Sequence, residues 1–347
     1  MNTVKNKACF IVCWFGTLPD YFPVWLQTVK YNENFDYLIF TDDSNIYKFE
    51  LPKNVFVKDL TLLDFKNKAE LALHRKCSLN KPYRVCDFRP MFGLIFSKEL
   101  ISYEFWGYCD LDVVFGNIKK YVTPQVLSVY NAVFNGGHFT LIRNTLRMNN
   151  LFKKDGATFD YKKVIKHDAI FAFDEITGIQ QIAHKQKIKA LYLIPYVDAD
   201  TSHVQLTSVL DKKNPENQAF YWEKGKLFRV KIDKGNIYFV ELTYIHLQKR
   251  PIILKDSLSD LKISFWIEPD GFEKKKKLGL PMPEEIKSKN PFLGYKMMNV
   301  ERKRYKRKKI KQLLKRNTFQ IYVRIIQEKN GINKNKGSIE NIKWKKY

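Results

Sequence analysis

Two aspartates one residue apart close an apolar, aromatic run in FWGYCDLDVVFGN, residues 105–117. In an extended chain the i, i+2 spacing sends the Asp110 and Asp112 side chains to the same side. A hydrophobic strand that delivers two like charges to one place carries a cost of several kcal/mol unless a cation neutralises them. Carboxylate oxygens prefer hard ions, so the pair predicts Mg²⁺ or Mn²⁺. The plain alternative for an Asp-x-Asp pattern is a solvated turn. The strand before it, with Trp106 and Tyr108, and Gly116-Asn117 after it favour the metal. Further groups with chemical potential are Asp87 and Arg89 upstream in KPYRVCDFRPMFG, the glycines of Asn135-Gly136-Gly137-His138, the acid pair Asp174-Glu175 in FAFDEITG, and His246, Lys249 and Arg250 in YIHLQKR.

These residues need elements to position them. The first half of the chain alternates strand-like with helix-like segments, which predicts an α/β sandwich with a mainly parallel sheet. Residues 8–14 and 37–40 read as strands, residues 19–31 as the helix between them, and residues 91–100 as a helix with Pro90 in its first turn. Residues 105–109 form the next strand, so Asp110 and Asp112 lie at its carboxyl end, where open α/β sheets bind ligands. Asp174-Glu175 opens a helix running to His184, with Asp174 as a possible N-cap. Residues 237–245 read as a strand ending at His246. A boundary falls near residues 270 to 300, dividing a domain of residues 1–270 from a basic extension of residues 271–347, helical in part.

Composition sets the outer limits. The chain has 347 residues, 45% hydrophobic and 15% aromatic, enough for a large core. Its net charge of +25 is uneven, because residues 301–347 carry 17 Lys and Arg against 3 Glu. Five cysteines lack zinc-site spacing and read as reduced core residues of a cytoplasmic protein. The N-terminus lacks the small-residue cleavage site of a signal peptide, and no apolar run reaches membrane-spanning length. Residues 301–316, with Ile310, Leu313 and Leu314 at spacings of three and four, predict an amphipathic helix on an anionic membrane surface; a solvated basic helix is the alternative.

The Asp110-Leu111-Asp112 segment resembles the DxD strand of GT-A type glycosyltransferases, and KPYRVCDFRPMFG resembles the segment that precedes DxD in several such families. YIHLQKR resembles the late histidine motif of metal-dependent galactosyl- and glucosyltransferases. The likeness covers roughly residues 8 to 250, and the combination is similar to transferases of bacterial capsule and cell-wall polysaccharide clusters. It implies a GT-A, Rossmann-like sandwich that binds a nucleotide sugar. Asp110, Asp112 and His246 would hold Mn²⁺ or Mg²⁺, and Lys249 would contact the diphosphate. Asp87 and Arg89 would face the donor, although their spacing departs from the DxxR form and an ion pair at a helix start is the bland alternative. Gly136 and Gly137 would admit the donor sugar close to the backbone, or simply make a turn.

The implied activity is transfer of a hexose from a nucleoside-diphosphate sugar to a glycan or lipid-linked glycan acceptor. A UDP-sugar is favoured, with galactose or glucose as candidate sugars. Asp174 or Glu175 is then the candidate for taking the acceptor's proton. The expected location is peripheral, on the inner face of the membrane. One rival is a nucleic-acid-binding protein using the basic tail, but no helix-turn-helix, zinc knuckle or RRM signature is present, so no nucleic acid is expected as partner. The other rival, a metal-dependent phosphodiesterase, would normally bring more Asp and His ligands to one site.

Overall fold

The structure, a computed structural model, describes residues 7–192, 194–211, 213–293 and 344–346. It is a mixed α/β fold built on three sheets. In chain order the strands are β1 (Ala8–Trp14), β2 (Phe35–Thr41), β3 (Val55–Asp59), β4 (Phe105–Cys109), β5 (Val113–Phe115), β6 (Ala132–Phe134), β7 (Phe139–Arg143), β8 (Ala190–Tyr192) and β9 (Tyr196–Asp198). There follow β10 (Gln218–Glu223), β11 (Lys226–Asp233), β12 (Asn236–Leu242), β13 (Tyr244–His246), β14 (Ile253–Leu254), β15 (Ser264–Glu268), β16 (Gly271–Lys274) and β17 (Lys345–Lys346).

The first sheet runs β3-β2-β1-β4-β7-β6-β8, with β3, β2, β1 and β4 mutually parallel. β7 lies antiparallel between β4 and β6, and β8 returns parallel to β6. Buried on both faces, β1 and β2 read as continuous apolar runs, as central parallel strands do. Alternate residues of β1 feed opposite layers: Cys9 and Ile11 join one core, and Ala8, Phe10 and Val12 the other. Helix α1 (Phe22–Lys30), begun by Pro23, covers the second layer with Phe22, Trp25, Leu26 and Val29. Helix α2 (Leu62–Leu73) starts in a Thr61/Asp64 capping box and covers the first with Phe65, Ala69 and Leu73.

The helix expected over 91–100 is instead two single turns, Phe92–Ile95 and Ser97–Leu100, after a 3₁₀ stretch from Pro82 to Met91. The break falls at Phe96, whose backbone leaves helical values (φ −111°, ψ 27°) and whose ring stacks on Phe40 at 4.2 Å.

The second sheet, β14-β16-β15-β10-β11-β12-β17, is antiparallel apart from its β14/β16 edge. The β15–β16 hairpin carries this sheet across residue 270, and Ile286 of the helix Pro283–Lys289 packs into its outer core beside Ala219, Tyr221, Val230 and Trp266. The described fold therefore runs on to the helix Pro283–Lys289, inside the expected boundary region of 270 to 300. The single strand expected over 237–245 is two: the chain leaves β12 at Thr243 and enters a third sheet, β5-β13-β9. In that sheet His246 stands between Val113 on one side and Asp198 on the other. The amphipathic helix expected over 301–316, with Ile310, Leu313 and Leu314, lies outside the described residues. Among the described residues no helix is long and apolar enough to cross a membrane.

Candidate metal centre

The last residue of β4, Cys109, is buried, and the chain then turns so that Leu111 enters the core while Asp110 and Asp112 face outward. The three-stranded sheet brings a third group to them. His246 Nε2 lies 3.5 Å from Asp112 Oδ1 and 3.8 Å from Asp110 Oδ2. Ligand atoms that each sit about 2 Å from one ion have separations of this size. Two carboxylates and one imidazole make a hard donor set suited to Mn²⁺ or Mg²⁺, and the residues fit the group that the sequence implies.

His246 is fixed on its far side. Its Nδ1 is 2.9 Å from Asp198 Oδ1, an oxygen that also accepts from Gln248 Nε2 at 2.6 Å. The His138 ring stacks on it at 4.2 Å, and His138 Nδ1 lies 3.1 Å from the Tyr244 hydroxyl. Burial opposes ionisation of His246, but Asp112 and then Asp198 outweigh it and hold its pKa well above the ordinary value. His138 goes the other way: burial, then the neighbouring His246, pushes it down to about 3. Asp198 is held at about 2, where burial is overcome by its hydrogen bond to His246 and by the charges of the two histidines.

These groups line an open cavity of about 1150 Å³ at the carboxyl ends of β1, β4 and β6. Arg89 enters from the 3₁₀ stretch and bridges its parts. Its guanidinium pairs with Asp110, donates to Asp174 Oδ2 at 3.0 Å and to the Gly137 carbonyl at 2.9 Å, and lies over the Tyr108 ring. Asp174 is buried and its carboxyl is raised well above the usual range, burial outweighing Arg89. Its side chain pairs with Arg89 and caps no helix, so the N-cap alternative is not what forms. Glu175 is half-buried on the cavity wall, raised to about 6 by burial and then by Asp110, against the pull of His246 and Arg89.

Asp87 departs from expectation. Its carboxylate is fully buried, pairs with the equally buried Arg84, and accepts from the backbone amides of Phe171 and Phe173 at 3.0 and 2.9 Å. It faces the core beneath the segment that carries Asp174-Glu175 and lines no part of the cavity. The expectation that it meets a donor is therefore corrected: the i, i+3 pairing with Arg84 inside a 3₁₀ stretch turns it inward. Gly136 and Gly137 lie in the turn that joins β6 to β7, the second of the two expectations for them. Gly136 has φ +69°, and a Cβ on Gly137 would lie 2.8 Å from Glu175 Cγ and 2.9 Å from Asp174 Oδ2. The room left by the missing side chain of Gly137 is filled by the acid pair. Lys249 is exposed at the rim with its ammonium 5.3 Å from the Tyr83 ring centroid, and no carboxylate among the described residues pairs with it. Arg250 points away, donating to carbonyls of Asp200, His203, Val204, Gln205 and Pro269.

Residues 10–276 match a family of unknown function, DUF6625. The chain belongs to DUF6625. No curated protein matches it. The DUF6625 span contains every residue lining the cavity, from Ile11 to Lys249, and stops short of the basic tail.

Sequence reasoning missed Asp198, Gln248 and His138. A signal for Asp198 was present: LIPYVDAD ends an apolar run in Asp198-Ala199-Asp200, the same Asp-x-Asp exit that marks Asp110 and Asp112.

Proposed function

We propose that this DUF6625 member is a metal-dependent glycosyltransferase of GT-A architecture that moves a hexose from a nucleoside-diphosphate sugar to a hydroxyl of a glycan acceptor. The observation that carries the reading is the approach of the Asp110 and Asp112 carboxylates to within 3.8 Å of the His246 imidazole at the carboxyl edge of a mainly parallel sheet, inside a cavity large enough for a nucleotide sugar. Those three residues would hold Mn²⁺ or Mg²⁺, which when bound supplies positive charge to the departing diphosphate. Lys249, without a carboxylate partner among the described residues, offers a second positive charge at the rim. Arg89 fixes Asp110 and Asp174 relative to each other, and Asp174 and Gly137 hold the wall on which Glu175 stands. With a pKa of about 6, Glu175 is ionised at neutral pH and able to take the proton of the acceptor hydroxyl as its oxygen bonds to the sugar carbon and the diphosphate leaves.

Electrostatics favour this reading over nucleic-acid binding. The cavity of a protein with net charge +25 is lined by Asp110, Asp112, Asp174, Glu175 and Asp198, a poor seat for a polyanion without a cation. The basic tail, outside the family match, is assigned to docking on the anionic inner face of a membrane, where a lipid-linked acceptor would be presented.

The test is a panel of sugar nucleotides, each assayed for hydrolysis and for thermal stabilisation with and without Mn²⁺. A bound donor at about 100 times its Kd raises stability by roughly 2.7 kcal/mol. One or more members should stabilise the wild type only with the metal, and Asp112→Asn should lose both stabilisation and turnover while its own melting temperature is kept. A panel without any Mn²⁺-dependent stabilisation or hydrolysis, or full turnover in Asp112→Asn, would overturn the reading.

A further inference from the structure

We infer that Asp198 is a positioning residue which orients His246 toward the cation without itself ligating it; the inference rests on the metal-site reading above. The argument starts from the third sheet. β13 lies between β5 and β9, in register His246 with Val113 on one side and His246 with Asp198 on the other. Asp112 immediately precedes β5, so this sheet lays Asp112, His246 and Asp198 across three adjacent chain segments with the histidine in the middle. The two nitrogens of His246 are thereby divided. Nε2 faces Asp112 and Asp110 at 3.5 and 3.8 Å, and Nδ1 faces Asp198 at 2.9 Å.

An imidazole binds a metal through one nitrogen only when the proton resides on the other, and a carboxylate acceptor at that other nitrogen fixes both the tautomer and the ring angle. Asp198 is built for that task. It is 8% exposed, and its Oδ1 is held by the Gln248 side-chain amide at 2.6 Å. Gln248 reaches it from a left-handed backbone conformation (φ 57°), one that a residue with a side chain rarely adopts. The stacked His138 ring closes one face of His246, so rotation of the imidazole away from the aspartates is opposed by packing as well as by the hydrogen bond. The same geometry makes Asp198, His138 and His246 a compact group of donors, yet its shared member, His246, would have to abandon the aspartate pair to serve it. Asp198 therefore acts through His246.

Mn²⁺ titrations of the full chain followed by electron paramagnetic resonance, on wild type, Asp198→Ala, Asp198→Asn and Asp112→Asn, separate the possibilities. Asn keeps an oxygen able to accept the Nδ1 proton and loses the charge; Ala loses both. Asp198→Ala should weaken Mn²⁺ binding by about 10- to 100-fold, as loss of such a supporting carboxylate does, and Asp198→Asn should recover most of that loss. A second readout is independent of turnover. In the Co²⁺-loaded wild type, the His246 Nδ1 proton should give a paramagnetically shifted, slowly exchanging NMR signal that survives in Asp198→Asn and vanishes in Asp198→Ala. Wild-type affinity in Asp198→Ala overturns the inference and leaves the metal site standing. Equal, complete loss in Asp198→Asn and Asp112→Asn overturns it too, because Asp198 would then be a ligand. Failure of the wild type to bind Mn²⁺ or Co²⁺ at millimolar concentration brings down the metal-site reading and this inference with it.

Discussion

Replacing Glu175 by Gln should stabilise the protein near neutral pH while stopping turnover. Glu175 titrates at an ordinary value of 4.5 in the unfolded chain and at about 6 in the folded one, because burial, then Asp110, disfavours its charge. Below pH 4.5 both states hold the proton and the group contributes no pH dependence. Between 4.5 and 6 the unfolded chain releases the proton while the native protein keeps it, so the native state binds more protons and stability falls as pH rises. Above 6 the loss is complete, and 1.5 units correspond to about 2 kcal/mol. Gln is close in size and cannot ionise, so Glu175→Gln should match the wild type near pH 4 and exceed it by about 2 kcal/mol at pH 7.5, a rise of about 3 °C in Tm for a chain of this size. Melting curves of both proteins across pH 4 to 8 give the difference directly. Saturating Mn²⁺ should shrink the gap by neutralising Asp110. A Tm difference that does not change with pH would refute the assignment of Glu175 as a carboxyl held above its ordinary range.

Asp87→Ala should unfold the protein more easily by about 3–5 kcal/mol, since it strands Arg84 at 1% exposure, and urea melts should show the loss with or without ligand. Gly137→Ala should cost about 1–3 kcal/mol and more than tenfold in turnover, because its Cβ must displace Glu175 Cγ from 2.8 Å; kinetics indistinguishable from wild type would count against the role of the acid pair. Replacing the ten Lys and Arg of residues 302–316 by Gln, which keeps β17 and Trp344 on the second sheet, should release the protein from anionic vesicles at low salt while leaving donor hydrolysis unchanged; sedimentation with vesicles decides it.

How much of this was legible depended on the range of the interaction that made each feature. Asp110 and Asp112 were readable because the exit of a strand at the carboxyl edge of a sheet is a local feature, although the pair lies in the bend between β4 and β5 and not in extended chain. His246 was readable as a strand-end residue, but its strand was not: Thr243 lets the chain change sheets, and that change is decided by pairing with β5 and β9, far away in sequence. Asp87 was misplaced because its partner is local in a different geometry, with Arg84 one 3₁₀ turn behind it and the amides of Phe171 and Phe173 supplied from a distant loop. The second sheet left a signal that went unused. Lys224-Gly225 and Lys234-Gly235 are two-residue turns with positive φ at both positions, the hairpin geometry that joins β10 to β11 and β11 to β12.

The charge pattern of the cavity bears on how such a site would work. Arg89 is shared between Asp110 and Asp174, whose own carboxyl is raised well above the usual range by burial, and His246 between Asp112 and Asp198, so two positive groups face the carboxylates of Asp110, Asp112 and Asp198 before Glu175 is counted. In a basic protein this local excess of negative charge repels a diphosphate unless a divalent ion arrives first. For a metal-dependent transferase the imbalance therefore sets an order, cation before nucleotide. It also gives Arg89 two jobs: its pairing with Asp110 tempers the repulsion between the aspartates, and its pairing with Asp174 ties the wall that carries Glu175 to the segment that carries Asp110 and Asp112. Glu175 and the Asp110–Asp112 segment are then held in register by one side chain, so that a shift at either is felt at the other.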